Sequence, residues 1–121
     1  MTLLLVLVGG GLGGLTRYVV TGVVQRRVSG WWPAGTMTVN LAGSALLGFV
    51  LACGLEDPFV VPVTAGFLGG LTTFSTWMVE TLAAGQGGRV GARRAGLNIA
   101  VPLIAGVLLA GLGFGLGTLV R

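Results

Sequence analysis

The sequence predicts an all-α membrane protein of four transmembrane helices, and three observations carry that class. Charged residues are 8% of the 121-residue chain, against roughly a quarter in soluble domains. Apolar residues are 54%, with 24 glycines besides, and mean hydropathy is +0.97. A soluble fold this small must cover most of its surface with polar groups, which this composition cannot supply. Finally, the apolar residues fall into four stretches, each near the ~20 residues that cross hydrocarbon as a helix. Backbone groups in lipid must be satisfied within the chain, and the short alternating segments of a membrane barrel are absent, so the spans are expected to be helices.

The expected spans are approximately 3–24, 35–55, 58–84 and 95–120, read as a single transmembrane domain over 1–121. Span one starts apolar at Leu3, with its first arginine at Arg17, and so reads as a retained span rather than a cleaved leader. Its Gly9/Gly13 and Gly10/Gly14 pairs are spaced for close helix approach. Trp31 and Trp32 stand where an interfacial aromatic anchor would precede span two. Asp57 followed by Pro58 reads as the cap and first-turn proline of span three. Halfway along that span, Gly69-Gly70 and then Thr72-Thr73 make poor helix. A break at mid-membrane is expected there, tolerated only where it is buried in protein or lines an ion site. In span four, Pro102 removes an amide donor and frees the carbonyl of Asn98, which predicts a bend. Gly111, Gly113, Gly115 and Gly117 line the rest of that span.

The formal net charge is +4, and all seven basic residues are arginine. They sit in short clusters between apolar runs and form no face for a duplex, so orientation in a membrane is their better use. Loops 25–34 and 85–94 hold Arg26, Arg27, Arg89, Arg93 and Arg94. The other side holds Glu56, Asp57 and Arg121. The positive-inside rule then puts both loops in the cytoplasm and both termini outside, with one orientation for the chain. Histidine is absent and Cys53 is alone, so neither imidazole chemistry nor an internal disulfide is available. With no nucleophile–base pair or metal-ligand cluster, the chain is not expected to be an enzyme.

A few polar or aromatic residues inside the spans are candidates for function. Arg17, beside Tyr18, either snorkels to the headgroups or sets a positive charge in a vestibule that draws anions. Asn40 and Ser44, at i and i+4, either make an interhelical hydrogen bond or offer donors to an anion. Carbonyls bared at the break would suit a monovalent cation, and the ring edge of Phe74, just beyond, is electropositive. Glu80, nearer the cytoplasmic end, is expected to pair with a loop arginine. Four short helices enclose little interior, so a conduction path is more readily built between two subunits.

Four stretches of this chain resemble the Fluc-type (CrcB-like) fluoride channels: Gly9 to Tyr18, Pro33 to Ser44, Gly66 to Thr76, and the glycine-rich fourth span. The string Gly69-Gly70-Leu71-Thr72-Thr73-Phe74-Ser75-Thr76 is the most specific. The resemblance implies an antiparallel dimer of four-helix subunits that passively exports fluoride across the bacterial cytoplasmic membrane. It implies a structural Na⁺ at the dimer centre on the backbone carbonyls of Gly69 and Thr72. It implies a fluoride pore along Asn40, Ser44, Phe74, Ser75, Thr76 and Trp77, with Arg17 in the vestibule. Two departures stand out. Trp77, which keeps an aromatic edge and adds an N–H donor, replaces the family's second pore phenylalanine. Asn98, Pro102 and Gly106 fall where span four usually carries a polar track. With the one-sided arginines, these departures suggest one half of a heterodimer completed by an oppositely oriented paralogue. Two other functions compete. A small proton-coupled multidrug transporter would need an embedded carboxylate, usually in span one, which here holds Arg17 and no acid. A non-conducting accessory subunit is the other.

Overall fold

The structure, a computed structural model, describes residues 1–120; Arg121, which the charge tally set opposite the arginine-rich loops, lies outside the described residues. The chain forms α1 (Thr2–Arg27), α2 (Ala34–Cys53), α3 (Val60–Leu71), α4 (Ser75–Ala84) and α5 (Gly88–Leu119). All regular structure among the described residues is helical. Helices α1, α2 and α5 are each long and apolar enough to cross a membrane. Helices α3 and α4, of 12 and 10 residues, are each too short to cross alone. Together they are the third span, interrupted at Thr72–Phe74 as the sequence predicted.

The helix ends differ from expectation at the arginine-rich side. Gln25, Arg26 and Arg27 finish α1, and Arg89, Arg93 and Arg94 ride the first turns of α5. The expected loops 25–34 and 85–94 contract to the linkers 28–33 and 85–87. Polarity alone does not stop a helix, and arginine is a good helix former once outside hydrocarbon. The actual stops are Ser29-Gly30 before Pro33, and Gly87, whose φ of +100° suits glycine. Gln25 ties the first linker down. Its Nε2 donates to the Trp32 carbonyl (3.2 Å), and its Oε1 accepts from the Gly35 N–H (3.1 Å) at the start of α2. On the opposite side, α2 ends at Gly54 in the left-handed region. Asp57 then begins the third span as expected, accepting from the N–H groups of Val60 (2.9 Å) and Phe59 (2.8 Å). Those two donors hold its carboxyl below the ordinary value. The stabilisation is therefore present at neutral pH and fades as pH falls through that lowered value.

Glycine sets the packing. Helix α1 lies along α3, and α2 lies along α5. A Cβ added at Gly9 would strike the Val63 carbonyl, and one at Gly13 the Phe67 carbonyl. The contact is reciprocal: Gly66 faces the Val6 carbonyl and Gly70 the Gly10 carbonyl. The second pair repeats the device, with Gly48 against Ala110 and Gly113 against Ala45. Without side chains in between, backbones approach closely enough for dispersion to hold helices that gain nothing from hydrophobic burial in lipid. Of the four glycines near the end of α5, Gly113 and Gly117 pack on α2, whereas Gly111 and Gly115 meet open space. Few large apolar side chains are buried among the described residues, Val39, Leu68 and Leu71 being examples, while Leu3, Leu7 and Leu108 point outward as lipid requires. Gly13→Ala should lower stability by about 1–3 kcal/mol, because a methyl there forces α1 off α3. Gly11→Ala, which meets nothing within 4 Å, should be neutral or stabilising by up to about 1 kcal/mol. Thermal unfolding of the two variants in detergent checks the contrast.

Candidate functional site

The third span stops being a helix at Thr72, whose φ of −84° and ψ of 155° are extended. Such a stop bares carbonyls that would otherwise accept from amides four residues on, and in lipid each needs another partner. Asn40, reaching across from α2, supplies the main one. Its Oδ1 accepts from the Thr73 N–H at 2.8 Å and its Nδ2 donates to the Thr73 carbonyl at 2.9 Å. One side-chain amide thus serves both backbone groups of the residue at the centre of the break, and the pairing fixes which end of the amide is oxygen. By taking the Thr73 N–H, Asn40 also removes the donor that an unbroken helix would have given to the Gly69 carbonyl.

The remaining groups at the break are satisfied in different ways. The Thr72 N–H and Thr72 Oγ1 both donate to the Leu68 carbonyl, at 3.0 and 2.9 Å. Arg17, the vestibule candidate, sends Nη1 from α1 to the Thr72 carbonyl at 3.3 Å. Thr73 Oγ1 accepts from the Thr76 N–H (3.3 Å) and donates to Thr76 Oγ1 (3.1 Å), capping the start of α4. Ser44 Oγ donates to the Asn40 carbonyl one turn back, so its proton is committed within α2.

The break opens onto a groove of about 540 Å³ whose lining includes Asn40, Ser44, Gly69, Thr72, Phe74 and Trp77. The structure therefore gathers six of the nine candidate positions around one space. Ser75 and Thr76 lie beside it on the exposed surface, and Phe74 is 70% exposed with its ring edge-on to Trp77 (centroids 5.9 Å apart, planes at 85°). Tyr18 is 80% exposed. A second groove of about 290 Å³, between α2 and α5, is lined by Asn40, Ser44, Trp77, Pro102 and Gly106 among others. Neither Pro102 nor Gly106 brings a hydroxyl to it. Asn98, the remaining position of that track, is fully buried and donates through Nδ2 to Thr81 Oγ1 at 2.8 Å.

Sequence reasoning missed three participants. Thr73 stood inside the diagnostic string with no role assigned, although it is the residue that Asn40 clamps. Thr81 follows Trp77 by one helical turn, a spacing that could have linked it to the same face. Thr36 is the partner of Glu80, donating through Oγ1 to Glu80 Oε1 at 2.8 Å, in place of the expected loop arginine. Arg94 instead lies over the Trp31 ring at 5.4 Å.

A four-span helical bundle with a clamped break in its third span, opening onto a groove of mixed aromatic and polar lining, defines the class of small multi-pass membrane proteins. The family model described as "CrcB-like protein, Camphor Resistance (CrcB)" matches residues 4–114. The chain belongs to this family. It is 42% identical over 111 residues to the "Fluoride-specific ion channel FluC 2" of Mycolicibacterium paratuberculosis, covering 92% of this chain and 89% of that protein. It is 42% identical over 125 residues to the protein of the same name in Cutibacterium acnes, covering 98% of each. With a "Fluoride-specific ion channel FluC" of Thermus thermophilus the identity is 42% over 118 residues, 94% of this chain and 93% of that one.

Asn40→Leu keeps the side-chain size but abandons both Thr73 groups, which should cost about 2–4 kcal/mol, the penalty of two unsatisfied polar groups. Ser44→Ala, which removes a bond made only within its own helix, should change stability by less than about 0.5 kcal/mol. Unfolding midpoints in detergent measure both.

Proposed function

We propose that this chain is a subunit of a fluoride-specific ion channel that passively exports fluoride from the bacterial cytoplasm and so lowers its toxicity. The observation that carries this reading is the clamped break itself: Asn40 holds Thr73 in a non-helical conformation beside Phe74 and Trp77. Membership of the family, and the names of relatives about 42% identical to the chain, support it. Fluoride is small and strongly hydrated, so a selective path must replace its water with donors and ring edges. Asn40, Ser44, Phe74, Ser75, Thr76 and Trp77 are the proposed lining. The second amide hydrogen of Asn40, the hydroxyls of Ser75 and Thr76, and the edge of Phe74 are the groups that suit an anion. Arg17 contributes a positive charge where the path nears the break.

The working unit is an antiparallel dimer. Beyond their contacts with Thr73 Oγ1, the hydroxyls of Ser75 and Thr76 lie exposed near the break, in the middle of the third span, where a second subunit offers polar partners that lipid does not. The carbonyls of Gly69 and Thr72 are the proposed ligands of a central Na⁺. Both have lost their helical donors, since the Thr73 N–H goes to Asn40 and the Thr76 N–H to Thr73 Oγ1; the Gly69 oxygen is thereby freed, and the Thr72 oxygen, which accepts from Arg17, keeps a second lone pair for an alkali cation. A sodium ion bound there supplies a fixed positive charge that ties broken spans together and offsets the charge of a nearby anion.

One reading narrows the dimer further. The five arginines at one end of the bundle favour a single orientation, with the 28–33 and 85–87 linkers cytoplasmic and the termini outside. A homodimer of inverted copies needs both orientations. The α2–α5 groove also lacks hydroxyls at Pro102 and Gly106. A heterodimer with an oppositely oriented paralogue meets both requirements. In liposomes, fluoride efflux read by an electrode should be slow for the chain alone and fast once such a paralogue is co-reconstituted. Asn40→Asp or Phe74→Ile in the conducting assembly should cut efflux about a hundredfold, some 2.7 kcal/mol of barrier. Fast efflux from the lone chain removes the heterodimer but leaves the channel; no fluoride efflux in either assembly removes the channel.

A further inference from the structure

The two departures from the family pattern that the sequence set apart, Trp77 in the third span and Pro102 in the fourth, meet at one atom. Helix α5 runs through Pro102 without interruption, and Pro102 is buried. A proline inside a helix gives no N–H to the carbonyl four residues back, which here is that of Asn98. Asn98 is fully buried. An orphan carbonyl at that depth, inside a membrane bundle, is costly unless another donor reaches it. The donor present is the indole of Trp77, whose Nε1 lies 2.6 Å from the Asn98 carbonyl oxygen. The circuit then closes on itself. Asn98 Nδ2 donates to Thr81 Oγ1 (2.8 Å), and Thr81 Oγ1 donates to the carbonyl of Trp77 (2.7 Å). Helices α4 and α5 are joined here by two hydrogen bonds running in opposite senses. A phenylalanine at position 77 could fill the space but could not make the first of them.

We propose that Trp77 is a positioning residue whose indole N–H replaces the amide that Pro102 removes, locking the aromatic ring against Phe74 rather than offering its proton to the anion. The proposal rests on the fluoride-channel reading for its functional consequence and on the hydrogen-bond circuit alone for its structural one. Trp77 and Pro102 are then a coupled pair. The proline is tolerated because the tryptophan is there, and the tryptophan's orientation is set because the proline leaves a carbonyl to hold it. The N–H that the sequence added to the pore's donors is already committed.

The test is a double-mutant cycle. Trp77→Phe strips the Asn98 carbonyl of its donor, whereas Trp77→Phe with Pro102→Ala returns a backbone N–H to the same oxygen. Trp77→Phe should lower the unfolding midpoint by about 5 °C and cut fluoride efflux about tenfold in the conducting dimer. Adding Pro102→Ala should recover most of both losses. The gain from Pro102→Ala should be clearly larger in the Trp77→Phe background than in the wild-type chain; equal gains in the two backgrounds overturn the coupling. If Trp77→Phe alone does not fold, recovery of folding in the double variant supports the same conclusion, and failure to recover overturns it. Separately, the Trp77 indole resonance, assigned in ¹⁵N-tryptophan-labelled protein, should not move on titration with sodium fluoride. A fluoride-dependent shift of that proton means that it faces the anion and defeats the proposal. Absence of fluoride efflux from every wild-type assembly would count against the channel reading, while the midpoints would still decide the Trp77–Pro102 pair.

Discussion

A peptide group in hydrocarbon has no water to turn to, and a helix that stops there must find its partners elsewhere in the chain. In this protein that requirement converges on one side chain. Asn40 gives the Thr73 N–H an acceptor and the Thr73 carbonyl a donor within 2.9 Å. The third span can then change direction for three residues without leaving that peptide unpaired. Everything local to the groove follows: Thr72 turns its carbonyl to Arg17, Thr73 caps α4 with its hydroxyl, and Phe74 projects outward at the start of a new helix.

The clamp works only because α2 is held close to α3. Glycine sets the spacing of the bundle around it, since the α1–α3 and α2–α5 pairs are built on backbone-to-backbone contacts that exclude even a methyl group. Gly43 extends the same logic to the site: a Cβ there would strike the Thr72 side chain, so its absence lets the first residue of the break sit against α2. Packing and polar satisfaction are one design here. The small residues set the distance at which the amide of Asn40 spans the gap.

The same principle recurs farther along the bundle in a different chemical form. At the break, a side-chain amide replaces a backbone partner lost to extended φ and ψ. At Asn98, an indole stands where a proline has withdrawn the amide. Both devices join neighbouring spans by lending one helix a donor from another, which is the least costly way to place an irregular backbone inside a membrane. They differ in consequence. The first leaves the carbonyl of Gly69 without its helical donor, whereas the second uses up a donor that the sequence had assigned to the groove.

Composition and periodicity alone determined the class, the number of spans and the position of the broken one. Hydrocarbon thickness fixes span length, and two glycines followed by two β-branched threonines are a local weakness legible without neighbours. The Asp57 cap was readable for the same reason, because its partners lie two and three residues on. Helix ends on the arginine-rich side were not readable: a run of arginines looks like a loop in sequence, yet it continues a helix wherever no glycine or proline stops it. What each polar group in the spans touches was decided by the tertiary structure alone. Asn40 and Thr73 are 33 residues apart, Arg17 and Thr72 are 55, and Thr36 and Glu80 are 44. A local pattern can show that a group will need a partner in lipid; only the close crossing of glycine-faced helices chooses which one it meets.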